Sequence, residues 1–191
     1  MKCFLAVLVI LILALFAGSP ALGSEIDLPV EVVTAHGDTS PTLGVVANET
    51  VSVGVGGWGF SGEATAGTTQ SLFFTAHIPP QDRATIRKEE ITPYIIWARN
   101  AATPTAGTYV WALEYKWVTP GETESASTTT TETLEAATAV RKFTKTSFPK
   151  VDVPSSDAVF MGRIYRKAWS SDDTSTATLV VSTVGCLFKR E

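Results

Sequence analysis

The chain has 191 residues, of which 45% are hydrophobic and 18% charged, and its formal net charge is −4 at pH 7. This length is sufficient for one domain with an ample core. A mildly acidic chain without a basic stripe argues against nucleic acid as a partner, because the phosphate backbone is bound by clustered Lys and Arg side chains.

Residues 1–23 have the pattern of a secretory signal peptide. Lys2 supplies the positive charge, and residues 4–17 form an uncharged apolar run. The run is shorter than the roughly 20 residues that span a bilayer. We therefore expect cleavage after Gly23, a secreted or extracytoplasmic location, and a single mature domain of residues 24–191. The alternative is an uncleaved anchor, in which case alone the protein would contact a membrane.

Cleavage would remove Cys3 and leave Cys186 as the single cysteine of the mature chain. An intrachain disulfide is then impossible, which excludes a disulfide-stapled scaffold. Cys186 lies in the apolar run 180–188, so we expect a small buried apolar side chain rather than a reactive thiol.

The first half of the mature chain alternates between strand and turn patterns. Residues 29–34 and 45–55 are predicted strands, and residues 56–62 (GGWGFSG) are predicted to form a glycine-rich loop with two aromatic side chains. Residues 72–78 (LFFTAHI) are a buried-type strand that ends at two prolines, since proline cannot donate to a β-ladder.

The strongest strand signal lies in the middle of the chain. Residues 81–90 are polar and predict a surface loop, residues 91–98 predict a strand, and residues 107–117 (GTYVWALEYKW) follow. In this last segment every second residue belongs to one apolar face: Tyr109, Trp111, Leu113, Tyr115 and Trp117. Such a face is stable only when a second sheet covers it, which predicts a two-layer β fold.

The rest of the chain continues the β pattern. Residues 122–133 are rich in Thr, Ser and Glu and favour an extended polar loop or edge, and residues 134–145 alternate weakly. Residues 158–167 and 176–188 are predicted strands, and in the first of them we expect Val159 and Met161 to point inward, with Ile164 or Tyr165 as a further inward position. Together the segments predict an all-β fold, an antiparallel two-sheet sandwich that is jelly-roll-like, with about eight strands.

Motifs for catalysis, cofactors and metals are weak. His36 and His77 lie far apart in sequence, and Asp38 beside His36 is too little for a metal site. There is no Gly-x-Ser-x-Gly elbow and no phosphate-binding glycine pattern before a helix. We therefore expect no catalytic residues, no cofactor and no metal.

The carboxylates also favour a protein without enzymatic activity. Glu114 alternates with Lys116 on the non-aromatic face of its strand, which indicates an exposed cross-strand ion pair rather than one of the two facing carboxylates of a glycosidase. The pairs Asp172-Asp173 and Glu89-Glu90 are expected in turns, as solvated charges.

Three aromatic residues next to polar or glycine-rich segments are the candidates for a ligand or an interface: Trp58, Phe60 and Trp169. Aromatic side chains on loops can stack on sugar rings or anchor a protein contact. The alternative is that each of them caps one end of the sandwich. Asn48 begins a glycosylation sequon, Asn-Glu-Thr, which is relevant only in a eukaryotic secretory pathway.

Between about residues 73 and 188 several short motifs follow one another in a specific order: Ile78-Pro79-Pro80, Ile91-Thr92-Pro93-Tyr94-Ile95-Ile96-Trp97, Val110-Trp111-Ala112-Leu113-Glu114-Tyr115, Phe148-Pro149, Arg163-Ile164-Tyr165-Arg166 and Asp172-Asp173. In this order they resemble a group of small β-sandwich structural proteins of tailed phages and prophages. The resemblance implies a virion component at the capsid surface or tail, with a jelly-roll-like fold and no catalysis.

The sequence therefore suggests a non-enzymatic structural protein, a virion or surface-assembly subunit that presents a β-sandwich in an oligomer. We expect a homo-oligomer, with a trimer favoured, or assembly with other structural subunits. The alternative is a secreted carbohydrate-binding module that uses Trp58, Phe60 and Trp169, and a weaker third hypothesis is a hydrolase on the same scaffold.

Overall fold

The computed structural model describes residues 25–34, 42–46, 55–60, 70–78, 89–100, 107–121, 128–136, 139–154 and 158–190. The predicted signal segment 1–23, the cleavage site after Gly23, the sequon at Asn48, and His36 lie outside these residues, as does most of the predicted strand 45–55. Within the described part of the chain, no helix has the length and hydrophobicity needed to cross a membrane.

Twelve strands make up the described fold: β1 (Ile26–Leu28), β2 (Val30–Thr34), β3 (Thr42–Val46), β4 (Val55–Phe60), β5 (Ser71–His77), β6 (Glu89–Arg99), β7 (Tyr109–Val118), β8 (Thr129–Glu135), β9 (Thr144–Ser147), β10 (Val151–Asp152), β11 (Val159–Arg166) and β12 (Leu179–Arg190). A prediction of about eight strands was too low. The additional strands include β1, β9 and β10, which are too short to show an alternating pattern.

The strands form two antiparallel sheets. The seven-stranded sheet has the order β10-β6-β12-β4-β3, with β1 added to β12 and β9 to β6, and the five-stranded sheet has the order β2-β5-β11-β7-β8. This arrangement confirms the predicted all-β fold with two antiparallel sheets. The longest strand pairing in the first sheet is that of β6 with β12. In the second sheet β11 is central and pairs with β5 on one side and with β7 on the other.

The prediction of a glycine-rich loop at residues 56–62 is wrong, because residues up to Phe60 belong to strand β4 between β3 and β12. A Cβ atom at Gly57 would collide with the carbonyl oxygen of Val181 on β12. Glycine here allows two backbones to approach closely, although it lowers the intrinsic β-propensity of the segment.

Two polar segments also contribute strands. The Thr-rich segment was expected as a loop or an edge, and its described part is the edge strand β8 of the five-stranded sheet. Glu89 and Glu90 were expected in a surface loop, but they begin β6, and Glu90 is buried with its carboxylate 2.9 Å from the Lys150 ammonium. Pairing with a neighbouring strand overrides the weak β-propensity of these polar residues.

The core lies between the two sheets and is rich in aromatic rings. Tyr109, Trp111 and Leu113 on β7 are completely buried, which confirms the predicted apolar face of that strand. Trp97 of β6 packs edge-on against Tyr109, with ring centroids 5.2 Å apart, and tilted against Trp111 at 5.9 Å. These contacts hold the two sheets together.

Candidate functional site

The outer face of the five-stranded sheet carries the candidate site. Along β11 the residues alternate: Phe160 and Ile164 point into the core, whereas Met161, Arg163 and Tyr165 point away from it. The outer face therefore consists of the residues that alternate with the core positions. The register of β5, β11 and β7 places the outward side chains of these strands in rows across the sheet.

A groove of about 470 Å³ crosses this face. Its apolar part includes Phe73 on β5 and Met161 on β11, both of them exposed. Polar side chains of three strands and of the segment before β8 complete the wall: Thr75, Glu114, Lys116, Thr128 and Arg163. The groove thus combines exposed hydrophobic surface with charges of both signs.

Arg163 is held in one orientation beside the groove. Its Nε donates to the Ser71 hydroxyl at 2.8 Å, and its Nη1 donates to a Glu114 carboxylate oxygen at 3.2 Å. The guanidinium lies 5.9 Å from the ring centre of Phe73 and 4.8 Å from that of Tyr165. Because hydrogen bonds and rings fix the planar group, it can contact a partner with little loss of side-chain entropy.

Glu114 lies on the non-aromatic face of β7 and, as predicted, forms a cross-strand ion pair, in which its partner is Arg163 of β11. Its second oxygen accepts a hydrogen bond from the Thr128 hydroxyl at 2.8 Å. These contacts occupy the carboxylate, and they connect the strands β7 and β11 with the start of β8.

Trp169 lies next to this face and stacks on Tyr165, with ring centroids 6.1 Å apart and planes inclined by 5°. Arg163 also approaches the ring of Tyr165, so the three side chains form one stack. Partial burial raises the pKa of the Tyr165 hydroxyl, and the nearby Glu114 charge adds to the shift. Of the three predicted aromatic candidates, Trp169 is the one connected to the groove wall, through Tyr165 and Arg163.

Trp58 and Phe60 lie elsewhere. Phe60 was expected to be available to a ligand, but it is 1% exposed, and its ring packs edge-on against Trp111 at 5.3 Å. Trp58 is half-buried and packs against the same core. Both positions alternate with glycines in β4, so their side chains point between the sheets. The structure separates these two residues from Trp169 and gives them a packing role.

One end of the sandwich is closed by a buried ion pair between Arg166 and Asp173. The expectation that Asp173 is a solvated turn residue is wrong, because the side chains of Arg166 and Asp173 are 1% and 0% exposed. The guanidinium donates to both carboxylate oxygens, from Nε at 2.8 Å and from Nη2 at 2.6 Å. A bidentate pair of this kind can compensate for the loss of hydration.

Main-chain groups provide the other hydrogen-bond partners of Arg166 and Asp173. Arg166 also donates to the carbonyl oxygens of Ser175 and Ala177, and the carboxylate of Asp173 accepts the backbone N–H of Val110 at 3.1 Å. The pair therefore fixes the connector between β11 and β12 against the start of β7. Trp169 belongs to that connector, so the buried charges also position the stack on the outer face.

In the described ranges, no three His, Cys, Asp or Glu side chains lie close enough to one another to hold a metal ion. Cys186 is completely buried in β12, in agreement with the prediction for this residue. Burial raises the pKa of its thiol to about 12, with a further contribution from the Asp27 charge. A neutral buried thiol is a poor nucleophile.

Sequence reasoning missed the residues of the groove itself. Phe73 lies in a run of apolar residues that resembles a strand buried on both faces, and Met161 was expected to point inward. The available signal was the strict alternation in β5, where Leu72 and Phe74 are buried and Phe73 between them is exposed. Only the covering of one face by the second sheet decides which set is inside.

Comparison of the sequence with protein-family models and with curated proteins finds no match. The function is therefore inferred from the chain's own residues.

Proposed function

We propose that this chain is a non-enzymatic structural protein, a virion or surface-assembly subunit that presents its β-sandwich in a homo-oligomer. The observation that carries the proposal is that one face holds three of the five large hydrophobic side chains that are exposed in the described part of the chain; Ile26 and Phe143 lie elsewhere. Phe73, Met161 and Leu134 are 43%, 38% and 59% exposed. Their registers place all three on the outer face of the five-stranded sheet.

Large apolar side chains that gather on one face favour burial against another protein surface. The same face carries ordered charges, including the ion pairs of Arg163 with Glu114 and of Lys167 with Glu132. Apolar centres with polar surroundings are typical of subunit interfaces. The order of the motifs between residues 73 and 188, with its resemblance to phage structural proteins, supports the same proposal and a place at a virion surface.

The strand order also supports a jelly-roll-like fold for this subunit. In the five-stranded sheet the neighbours run β5-β11-β7-β8, and in the other sheet β4, β12, β6 and β9 are successive neighbours. Along the chain these eight strands pass repeatedly between the sheets, and only β7 and β8 are a hairpin within one of them. Two four-stranded sheets with connections of this type are typical of jelly rolls, which include viral capsid and lectin domains.

The proposal is tested by the mass of the purified full-length chain in solution and by electron microscopy of its assemblies. We expect a defined oligomer or incorporation into a larger particle. A stable monomer at every concentration tested would contradict a role as an assembly subunit.

The stacked pair of Tyr165 and Trp169 favours a second candidate, a secreted carbohydrate-binding module. Aromatic rings beside fixed polar groups can bind sugars, and Arg163 and Glu114 supply such groups. A glycan screen with the wild-type chain and with Trp169→Ala tests this function. Binding by a monomer that is lost in the variant would favour the module over the assembly subunit.

A further inference from the structure

We propose that the groove face pairs with the same face of a second copy of this chain, about a two-fold axis that runs parallel to the strands. The inference rests on the proposed function and deepens it, because it names the partner and the contact surface. It follows from the arrangement of side chains in two rows across the five-stranded sheet.

The first row contains Glu31, Thr75, Met161 and Lys116 on four adjacent strands. The register pairs Glu31 with Thr75, Thr75 with Met161, and Met161 with Lys116. A negative charge therefore lies at one end of the row, a positive charge at the other, and the exposed Met161 between them. The midpoint of the row falls between β5 and β11.

A two-fold axis along that midpoint exchanges β5 with β11 and β2 with β7. In a face-to-face pair, Glu31 then lies opposite Lys116 of the second copy, and by symmetry Lys116 lies opposite the second copy's Glu31. The same rotation sets Thr75 against Met161 of the second copy. A surface must be self-complementary to form a two-fold contact, and this row meets the condition.

The second row adds an aromatic contact. Phe73 pairs in register with Arg163, and Arg163 with Glu114. The axis exchanges Phe73 with Arg163, so each guanidinium lies opposite the exposed Phe73 ring of the other copy. Cations and aromatic faces attract each other, more strongly when water is excluded. Ser71 and Glu114 already orient Arg163, so pairing needs little rearrangement.

The area is large enough for a specific contact. The axis sets four strands of each copy, β2, β5, β11 and β7, against the same four strands of the other copy. At about 4.8 Å for each strand they are roughly 19 Å wide, and the eight residues of β11 extend about 27 Å at about 3.4 Å per residue. Their product is about 500 Å² for each copy, or about 1,000 Å² in total, at the lower limit for a biological interface. A weak or moderate dimer is therefore expected from this contact alone.

Charge balance favours a second copy over a highly charged partner. The two rows contain two cations, Lys116 and Arg163, and two anions, Glu31 and Glu114. Such a face has no net field to attract nucleic acid or an acidic membrane. Its opposite charges at matched positions are instead the feature that a copy of itself would recognise.

The test uses Glu31→Lys and Lys116→Glu in the full-length chain, alone and combined, with the dissociation constant measured by analytical ultracentrifugation. We expect each single reversal to weaken self-association at least tenfold, because it creates two like-charge contacts per dimer. The combined variant should restore it. Three strand spacings, roughly 14 Å, separate Glu31 from Lys116 within one copy, so only contact between copies explains the restoration.

Ile26→Ser, which changes an exposed apolar residue on the other sheet, is the matched control for Phe73→Ser. We expect self-association to fall at least tenfold for Phe73→Ser and to be unchanged for Ile26→Ser, with circular dichroism verifying the fold of each variant. An oligomer unaffected by all outer-face variants would overturn this contact and leave the proposed function standing. A wild-type chain that is always monomeric would overturn both.

Discussion

The two faces of the five-stranded sheet are built from the same strands and differ in what covers them. On the inner face, Trp111 and Tyr109 are completely buried against Trp97 of the opposite sheet. On the outer face, Phe73 and Met161 remain exposed. Both faces carry large apolar side chains, so hydrophobicity alone does not distinguish them. The difference lies in the second sheet, which covers the inner face and leaves Phe73 and Met161 on the outer face exposed.

The charges of the two regions differ in the same way. Arg166 and Asp173 are buried between the sheets and have their hydrogen bonds satisfied by side chains and main-chain groups. Lys167 and Glu132 on the outer side are partly exposed, at a distance of 2.7 Å. The first pair contributes to the integrity of the fold, whereas the second is expected to affect solubility and contacts with other molecules.

The largest effect is expected from truncation inside the aromatic core. Trp111→Ala should lower the free energy of unfolding by about 3–5 kcal/mol, because a cavity replaces a completely buried ring. Trp169→Ala, at the edge of the outer face, should cost only about 0.5–1.5 kcal/mol through loss of its stacking on Tyr165. Urea unfolding of both variants measures the difference, and equal losses would contradict the contrast between the two faces.

A comparable loss is expected when one buried charge is left without its partner. Asp173→Ala leaves the Arg166 guanidinium buried and unpaired, which should destabilise the fold by about 3–5 kcal/mol. Glu132→Ala removes the partner of Lys167 in a more exposed pair and should cost less than about 1 kcal/mol. Thermal unfolding monitored by circular dichroism tests this, and a small effect of Asp173→Ala would show that the buried pair is dispensable.

Adjacent residues on β11 sharpen the comparison further. A Cβ atom at Gly162 would collide with the ring of Phe74, so Gly162→Ala should destabilise the protein by about 1–3 kcal/mol through overpacking. Met161→Ala, one residue earlier but on the outer face, should change stability by about 0.5 kcal/mol or less. The denaturant midpoints of the two variants provide the measurement. A tolerated alanine at position 162 would mean that Phe74 can move aside.

The smallest effect at neutral pH is that of the buried thiol. Burial raises the pKa of Cys186 to about 12 in the folded protein, whereas an unfolded thiol ionises near pH 8.5. As the pH rises, the unfolded state loses the thiol proton before the folded state does. The buried thiol therefore stabilises the folded protein fully below about pH 8.5, and this contribution is lost toward pH 12. The expected slope is about 1.4 kcal/mol per pH unit.

Denaturant unfolding at pH 8, 9 and 10 tests this slope. Burial and the hydrogen bond to Asp27 also raise the pKa of the Tyr94 hydroxyl, so tyrosine adds to the decline. Comparison with Cys186→Ala isolates the contribution of the thiol, because the alanine variant keeps the tyrosine. Parallel profiles for the two proteins would show that the thiol does not contribute.

Much of the fold could be predicted because periodicity reports which residues share a face. The alternation in residues 107–117 predicted β7 and the need for a second sheet, and both are found. Strand β4 could not be predicted in this way. Its glycines have low β-propensity, and their role depends on the close approach of Val181 from a strand more than 100 residues away in sequence.

The candidate site was less predictable than the fold. Trp169 was singled out because it adjoins a polar turn, and it stacks on Tyr165, whose ring Arg163 of the groove wall also approaches. Phe73 and Met161 were missed because an apolar residue on a strand is assigned to the inside by default. Asp173 was misassigned for the opposite reason: an Asp pair in a turn is usually solvated, and its partner Arg166 lies on the preceding strand.

The most direct single measurement is the solution mass of the purified full-length chain by light scattering, from micromolar concentrations upward. Our proposal predicts a concentration-dependent oligomer whose mass falls when Phe73 is replaced by Ser. A mass that remains that of one chain throughout would contradict self-assembly and shift attention to the glycan screen.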